Sequence, residues 1–175
     1  MISSARAPYL LVSAAAVVLD QITKRLVAGS LPLHDSREIV SGLLSLTHVR
    51  NRGAAFGVGN GADLPYQAVL FAVLSVAALI AIATYALKLP AAQRWPQWAL
   101  ALIMGGAVGN LIDRIAYGYV IDFVDVYWRS YHWPAFNVAD SCISVGVVML
   151  IVDLLRSPAE EPTSSSGPAV PAASE

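Results

Sequence analysis

Four long apolar runs, separated by stretches where charged, amide and glycine residues return, set the pattern of this chain. Residues 9–28, 66–87, 98–115 and 137–155 are each long enough, at ~1.5 Å per residue, to cross a hydrocarbon core of ~30 Å. The pattern therefore predicts four transmembrane helices. The first run is interrupted near its far end by Asp20, Lys24 and Arg25, whereas the second carries no charge before Lys88. The 29–65 connection is the longest polar one. Within it LLSLTHV, residues 43–49, has the β-branched content and partial alternation of a short strand. Gly53, Gly57, Gly59 and Asn60-Gly61 supply turns, so a small sheet on the membrane surface is expected there. Residues 117–133 are aromatic-rich and suit an interfacial segment, with 119–127 extended or irregular. Gly105 and Gly109 form a small-xxx-small pair that lets a neighbouring helix approach closely.

Composition sharpens this picture. The 175 residues are 57% hydrophobic and only 13% charged, with mean hydropathy +0.61 and net charge −1, which marks a membrane protein. Scattered basic residues give no support to nucleic-acid binding. The first run, preceded by Arg6, resembles a secretory signal, but DQITKR stands where a small-residue cleavage site belongs, so an uncleaved first span is expected. The single cysteine, Cys142, excludes an internal disulfide and reads as a packing residue. The last residues, 157–175, form a Pro/Ser-rich tail too poor in apolar residues to fold, leaving residues 1–156 as one domain.

In so apolar a chain, the ionisable and amide side chains are the informative ones. Asn110, Asp113, Arg114, Asp122, Asp125, Asn137 and Asp140 crowd the junction between the third and fourth runs. Several have structural readings that compete with a functional one. Asp20 and Lys24 share a helix face and read as an interfacial ion pair, with Lys24 reaching outward to water. Arg114 suits a helix C-terminus, with Asp113 as its partner. Asn137 suits an N-cap, and Asp140 the acidic position of the first turn. Asn51, between two arginines, is the residue of the long connection whose amide could reach a bound peptide.

Span parity then constrains where these groups lie. Four alternating spans bring the C-terminal ends of the first and third and the N-terminal end of the fourth to one side, together with the long connection. All of the polar candidates fall on that side. Of the eleven Lys and Arg, seven lie there and Arg6, Lys88, Arg94 and Arg156 lie on the other. Taken literally, the positive-inside rule would put the polar side in the cytoplasm, so charge leaves orientation open.

Five motifs carry a family resemblance: Asp20-Gln21 with Lys24, Asn51-Arg-Gly-Ala-Ala-Phe56, Gly109-Asn110-Leu-Ile-Asp113-Arg114, Val120-Ile-Asp122-Phe, and Phe136-Asn137-Val-Ala-Asp140. In this order they resemble the bacterial lipoprotein signal peptidases, or signal peptidases II, which are membrane-embedded aspartyl proteases. The resemblance implies that Asp122 and Asp140 form the catalytic pair. It implies that Asp20, Lys24, Asn51, Asn110, Asp113, Arg114 and Asn137 support the pair or contact substrate. It also implies cytoplasmic termini, a site near the outer face of the inner membrane, and a diacylglyceryl-modified prolipoprotein substrate cut immediately before the lipidated cysteine. The expected fold is an all-α membrane protein of four transmembrane helices with a small extracytoplasmic β-rich segment. It is expected to work as a monomer in contact with membrane lipid.

Two carboxylates ~4 Å apart at an effective dielectric of ~20 repel by roughly 4 kcal/mol, enough to make them share one proton at neutral pH. The charged member can then activate water while the neutral member hydrogen-bonds the scissile carbonyl. A helix N-terminus favours the negative charge on Asp140, which leaves the proton on Asp122. Asn110 and Asn137 are available to donate to an oxyanion or to the peptide backbone. No cofactor is expected. No metal is required either, since HExxH is absent and His34, His48 and His132 are dispersed. A proton-coupled transporter is the rival from another class, but the acids gather at one edge and no repeat is visible. A scaffold would leave the clustered acids unexplained.

Overall fold

The computed structural model describes residues 6–53, 66–90 and 92–156. The turns assigned to Gly57, Gly59 and Asn60-Gly61, the Ala54–Phe56 part of the Asn51 motif, and the tail of residues 157–175 lie outside the described residues. The chain runs α1 (Ala7–Ser30), β1 (Ser36–Val40), β2 (Leu44–Asn51), α2 (Gln67–Lys88), α3 (Arg94–Tyr117), β3 (Val120–Trp128), β4 (Tyr131–His132) and α4 (Val138–Arg156). Each helix falls on one of the apolar runs. By length and composition α2, α3 and α4 are apolar enough to cross a membrane. The first helix is as long as α3, but Asp20, Lys24 and Arg25 lie along its last turns.

The helices assemble around α3. Ser13 Oγ of α1 donates to the Ala101 carbonyl at 2.8 Å, and Gln21 Nε2, two turns on, reaches the Gly109 carbonyl at 3.2 Å, so α1 and α3 run parallel. On its other flank α3 meets α4 in the opposite sense, with Gly106 against Ala139 and Ile143, and Gly146 against Ala99 and Ile103. Lipid offers little hydrophobic drive between helices, so contact depends on small residues that let backbones come close. A Cβ on Gly105 would stand 2.7 Å from the Ser13 carbonyl oxygen, and one on Gly109 would stand 2.6 Å from Asp20 Oδ2. The small-xxx-small expectation is thus borne out toward α1, and Gly106 and Gly146 do the same work toward α4. A Cβ on Gly106 would overlap the Ala139 carbonyl oxygen, a backbone atom that cannot turn aside. Gly106→Ala is expected to destabilise the fold by about 1–3 kcal/mol. Thermal unfolding in detergent checks this, and an unchanged midpoint would count against the packing described.

The sheet is larger than the single short strand read from residues 43–49. It is four-stranded and antiparallel, in the order β1-β2-β3-β4. The segment expected to be extended or irregular, residues 119–127, is its long strand β3, pairing Val49 with Asp122 and Asn51 with Val120. A register shift between Leu46 and Val49 breaks the ladder just beside Asp122, where an irregularity can re-aim a side chain. Gly118, at φ 75°, turns the chain sharply from α3 into β3, a left-handed conformation that glycine adopts without strain. The expected helical fold with a small β-rich segment is thus found as a mostly helical fold with a four-stranded antiparallel sheet at one end of it. Propensity understated the strands because β3 is stabilised by pairing with β2, whose partners, from Asn51 with Val120 to Leu44 with Val126, lie far away in sequence.

Candidate active site

The ends of α1 and α3, the start of α4 and strand β3 meet at one place, as span parity requires. Lys24 is the hub. Its Nζ lies 2.8 Å from Asp20 Oδ2, 3.0 Å from Asp113 Oδ2 and 2.8 Å from Asn110 Oδ1. With a relative exposure of 1% it does not reach outward to water, contrary to the snorkelling expectation. Asp113 is likewise corrected: its charged partner is Lys24 and not Arg114. Arg114 instead donates to the carbonyls of Gly53 at 3.0 Å and Asn110 at 3.4 Å. Arginine's fork can bond two carbonyls at once, and the buried lysine leaves Asp113 already paired.

From this hub two carboxylates reach across to other elements. Asp20 Oδ1 accepts the Ala139 N–H at 2.9 Å, so α1 caps a buried donor in the first turn of α4 that has no partner within its own helix. Asp113 Oδ2 accepts the Ile121 N–H at 3.1 Å, pinning the residue next to Asp122. Gln21, quoted within its motif but assigned no role by sequence, donates to Asp113 Oδ1 at 2.9 Å and to Asp20 Oδ2 at 3.4 Å. Its position one residue from Asp20 was the available signal. The segment before α4 is tied to β3 as well, since the Phe136 carbonyl accepts the Phe123 and Val124 N–H groups at 3.0 and 2.8 Å. That tie places Asn137 beside Asp122.

Asp122 and Asp140 are joined through amides whose orientation is forced. The ammonium of Lys24 can only donate, so Asn110 turns its oxygen toward it and its Nδ2 toward Asp140 Oδ1, at 2.8 Å. The Asp140 N–H can only donate, so Asn137 turns Oδ1 toward it at 2.9 Å and Nδ2 toward Asp122 Oδ1 at 2.7 Å. The Gly53 N–H does the same to Asn51, whose Nδ2 meets Asp122 Oδ2 at 3.0 Å. Asn137 Nδ2 also approaches Asn110 Oδ1 at 3.1 Å, which closes the network. Asp140 Oδ2 completes a capping box with the Asn137 N–H at 3.3 Å. The capping reading of Asn137 and Asp140 is therefore correct, and it coexists with their place in the site. Asn110 and Asn137 were expected to be available to an oxyanion; the structure instead directs their shortest N–H bonds at Asp140 and Asp122.

The two acids differ in exposure. Asp122 is almost wholly buried while Asp140 is partly open. Burial first, and the charge of Asp140 second, push the Asp122 carboxyl up to about 7, against donation from Asn51, the charge of Lys24 and donation from Asn137. Asp125 stands apart. It bonds His132 Nδ1 at 2.9 Å on the neighbouring strand, in a solvent-exposed pair. Asp125→Asn is expected to change the catalytic rate by no more than about fivefold, the scale of an exposed pair, as measured by single-turnover kinetics. Among the described residues no group of three His, Cys, Asp or Glu side chains is arranged to hold a metal ion.

Comparison with known proteins places this arrangement. The family model described as Signal peptidase (SPase) II matches residues 12–156. A lipoprotein signal peptidase of Geobacter sulfurreducens is 53% identical over 140 residues, covering 80% of this chain and 86% of that one. The lipoprotein signal peptidase of Syntrophus aciditrophicus is 42% identical over 153 residues, covering 87% and 95%. A bacterial membrane enzyme solved by the in meso method at 2.3 Å superposes with a TM-score of 0.79 at 32% identity, covering 92% of this chain and 95% of that one. The matched span includes α2, α3, α4, all but the first turn of α1, and every residue of the polar network, and the chain belongs to the signal peptidase II family.

Proposed function

We propose that Asp122 and Asp140 are the catalytic pair with which this chain, a lipoprotein signal peptidase, removes signal peptides from prolipoproteins. The observation that carries the assignment is the pair of oriented amides: Asn110 and Asn137 contact each other and each donates to one of the two carboxylates. In the reaction Asp140, charged, takes a proton from water as the water oxygen attacks the scissile carbonyl carbon. Asp122, protonated, gives its proton to the carbonyl oxygen. When the tetrahedral intermediate collapses, the C–N bond breaks, the proton on Asp140 passes to the leaving amine and the hydroxyl proton returns to Asp122. Asp20, Lys24, Asn51, Asn110, Asp113 and Asn137 position the pair, while Arg114 and the partly open side of Asp140 face the substrate.

The substrate is a precursor whose cysteine already carries diacylglycerol, cut immediately before that cysteine. A site at the end of the helical bundle lets acyl chains stay in lipid while the peptide bond reaches water. All four helices span the membrane. Support for α1 comes from its course: it lies parallel to α3 from Ser13 to Lys24, along α3's own apolar stretch. The termini are cytoplasmic, the sheet lies on the outer surface of the inner membrane, and residues 1–156 act as one peptidase domain. Every group in the network comes from one chain, so a monomer suffices.

The direct test is incubation of purified protein with a diacylglyceryl-modified precursor and with its unlipidated counterpart. Signal-peptide release from the first alone is the expected result, and equal cleavage of both would refute the substrate assignment. The role of Asp122 has its own pH signature. A general acid that titrates near 7 is active below that pH and lost above it. The ratio kcat/KM should fall about tenfold per pH unit above roughly pH 7. A flat profile up to pH 9 would remove Asp122 from that role.

A further inference from the structure

At the end of the helices away from the candidate site, residues of α1, α2 and α3 border a cavity of about 190 Å³. Tyr9, Ser13, Ala83, Ala86, Ala101 and Met104 line it. Its width comes from the small residues among these, Ser13, Ala83, Ala86 and Ala101. Two of the polar side chains there are already bonded: Ser13 Oγ to the Ala101 carbonyl at 2.8 Å, and Gln97 Nε2 to the Pro90 carbonyl at 2.8 Å. Such a cavity holds no water well and suits an alkyl chain.

The mouth is cationic. Arg6 borders the cavity and donates through Nη2 to the Leu87 carbonyl at 2.9 Å, and Lys88 is the next residue, the last of α2. Only one of the guanidinium's donors is used in that bond. Arg94 begins α3 on the same side. Asp153 is the acid at this end among the described residues, and it lies on α4, which does not line the cavity. Because α2 is a membrane-length apolar helix ending at Lys88, these cations stand where its hydrocarbon span stops and lipid headgroups begin.

We infer that this groove binds one acyl chain of an anionic phospholipid, whose phosphate pairs with Arg6 and Lys88. The charge of the mouth selects among the chains that could fill it. A signal peptide carries a positive leading region, which these cations repel. A zwitterionic lipid brings its own cation to the same place, whereas an anionic headgroup gains roughly 1 kcal/mol, about fivefold, per Lys or Arg.

Native mass spectrometry of the full-length chain, offered phosphatidylglycerol and phosphatidylcholine with identical acyl chains, tests this. The wild type should retain phosphatidylglycerol about fivefold or more over phosphatidylcholine. Arg6→Gln with Lys88→Gln should equalise the two, and Ala86→Phe, which fills the groove, should abolish retention of both. Excess inorganic phosphate should not displace the lipid, because the acyl chain contributes to binding. Equal retention of the two lipids by the wild type, displacement by phosphate, or full retention by Ala86→Phe would each overturn the proposal. Gel filtration confirms that each variant is folded, and bound lipid is read by mass, so the result is independent of any cleavage activity.

Discussion

Asp140→Asn should lower the rate of signal-peptide release by about 10²–10⁴-fold, and Asp122→Asn should do the same. Neither should prevent folding. Each carboxylate accepts two N–H groups, one on each oxygen. An asparagine keeps one acceptor and turns an N–H toward the other donor. That mismatch costs about 1–3 kcal/mol, so the melting midpoint should fall by only a few degrees while turnover nearly vanishes. The two effects are separable by measuring single-turnover cleavage of a lipidated precursor beside thermal unfolding of the same preparation. A variant that keeps more than about a tenth of the wild-type rate would exclude its carboxylate from the chemistry. The comparison with Asp125→Asn matters here, since that acid lies on the same strand as Asp122 but bonds His132 outside the network.

The second large effect is on stability. Lys24→Met should destabilise the protein by about 3–5 kcal/mol, because it leaves Asp20 and Asp113 buried without their shared cation. For a chain of this length that corresponds to a fall of roughly 10 °C in the unfolding midpoint. Combining Lys24→Met with Asp113→Asn should recover part of the loss, since the second change removes one of the stranded charges. A Lys24→Met midpoint indistinguishable from wild type would show that the cluster is not what binds α1 to α3. The same substitution removes the closer of the two donors on Asn110 Oδ1 and leaves only Asn137 Nδ2 at 3.1 Å to orient that amide. Cleavage by the surviving folded fraction should therefore fall as well, and by more than Gly106→Ala lowers it, because that substitution strains packing without touching the amides.

The helices were legible in the sequence because an apolar run of membrane length has few other solutions, and each observed helix lies within a few residues of its expected bounds. The parity of four runs was enough to bring the polar ends together. The proposed pairing of Asp122 with Asp140 came from the family resemblance, whereas composition marked only that acids crowd this junction. The motifs also marked the supporting residues, although not what they do. Reading Lys24 as outward-facing and Asp113 as the partner of Arg114 followed from local spacing, which sees only the turn a residue shares with its neighbours.

By itself, then, the order of apolar and polar residues determined how many helices form, which of their ends collect the acids, and which family the chain resembles. The tertiary structure alone decided that β3 is a paired strand, that Lys24 is buried between two aspartates from different helices, and that each site amide points one way. These depend on contacts between segments up to 119 residues apart, such as Asp20 with the Ala139 N–H. No local propensity encodes a hydrogen bond whose donor arrives from another helix, and the direction of an amide is set only once that donor is in place.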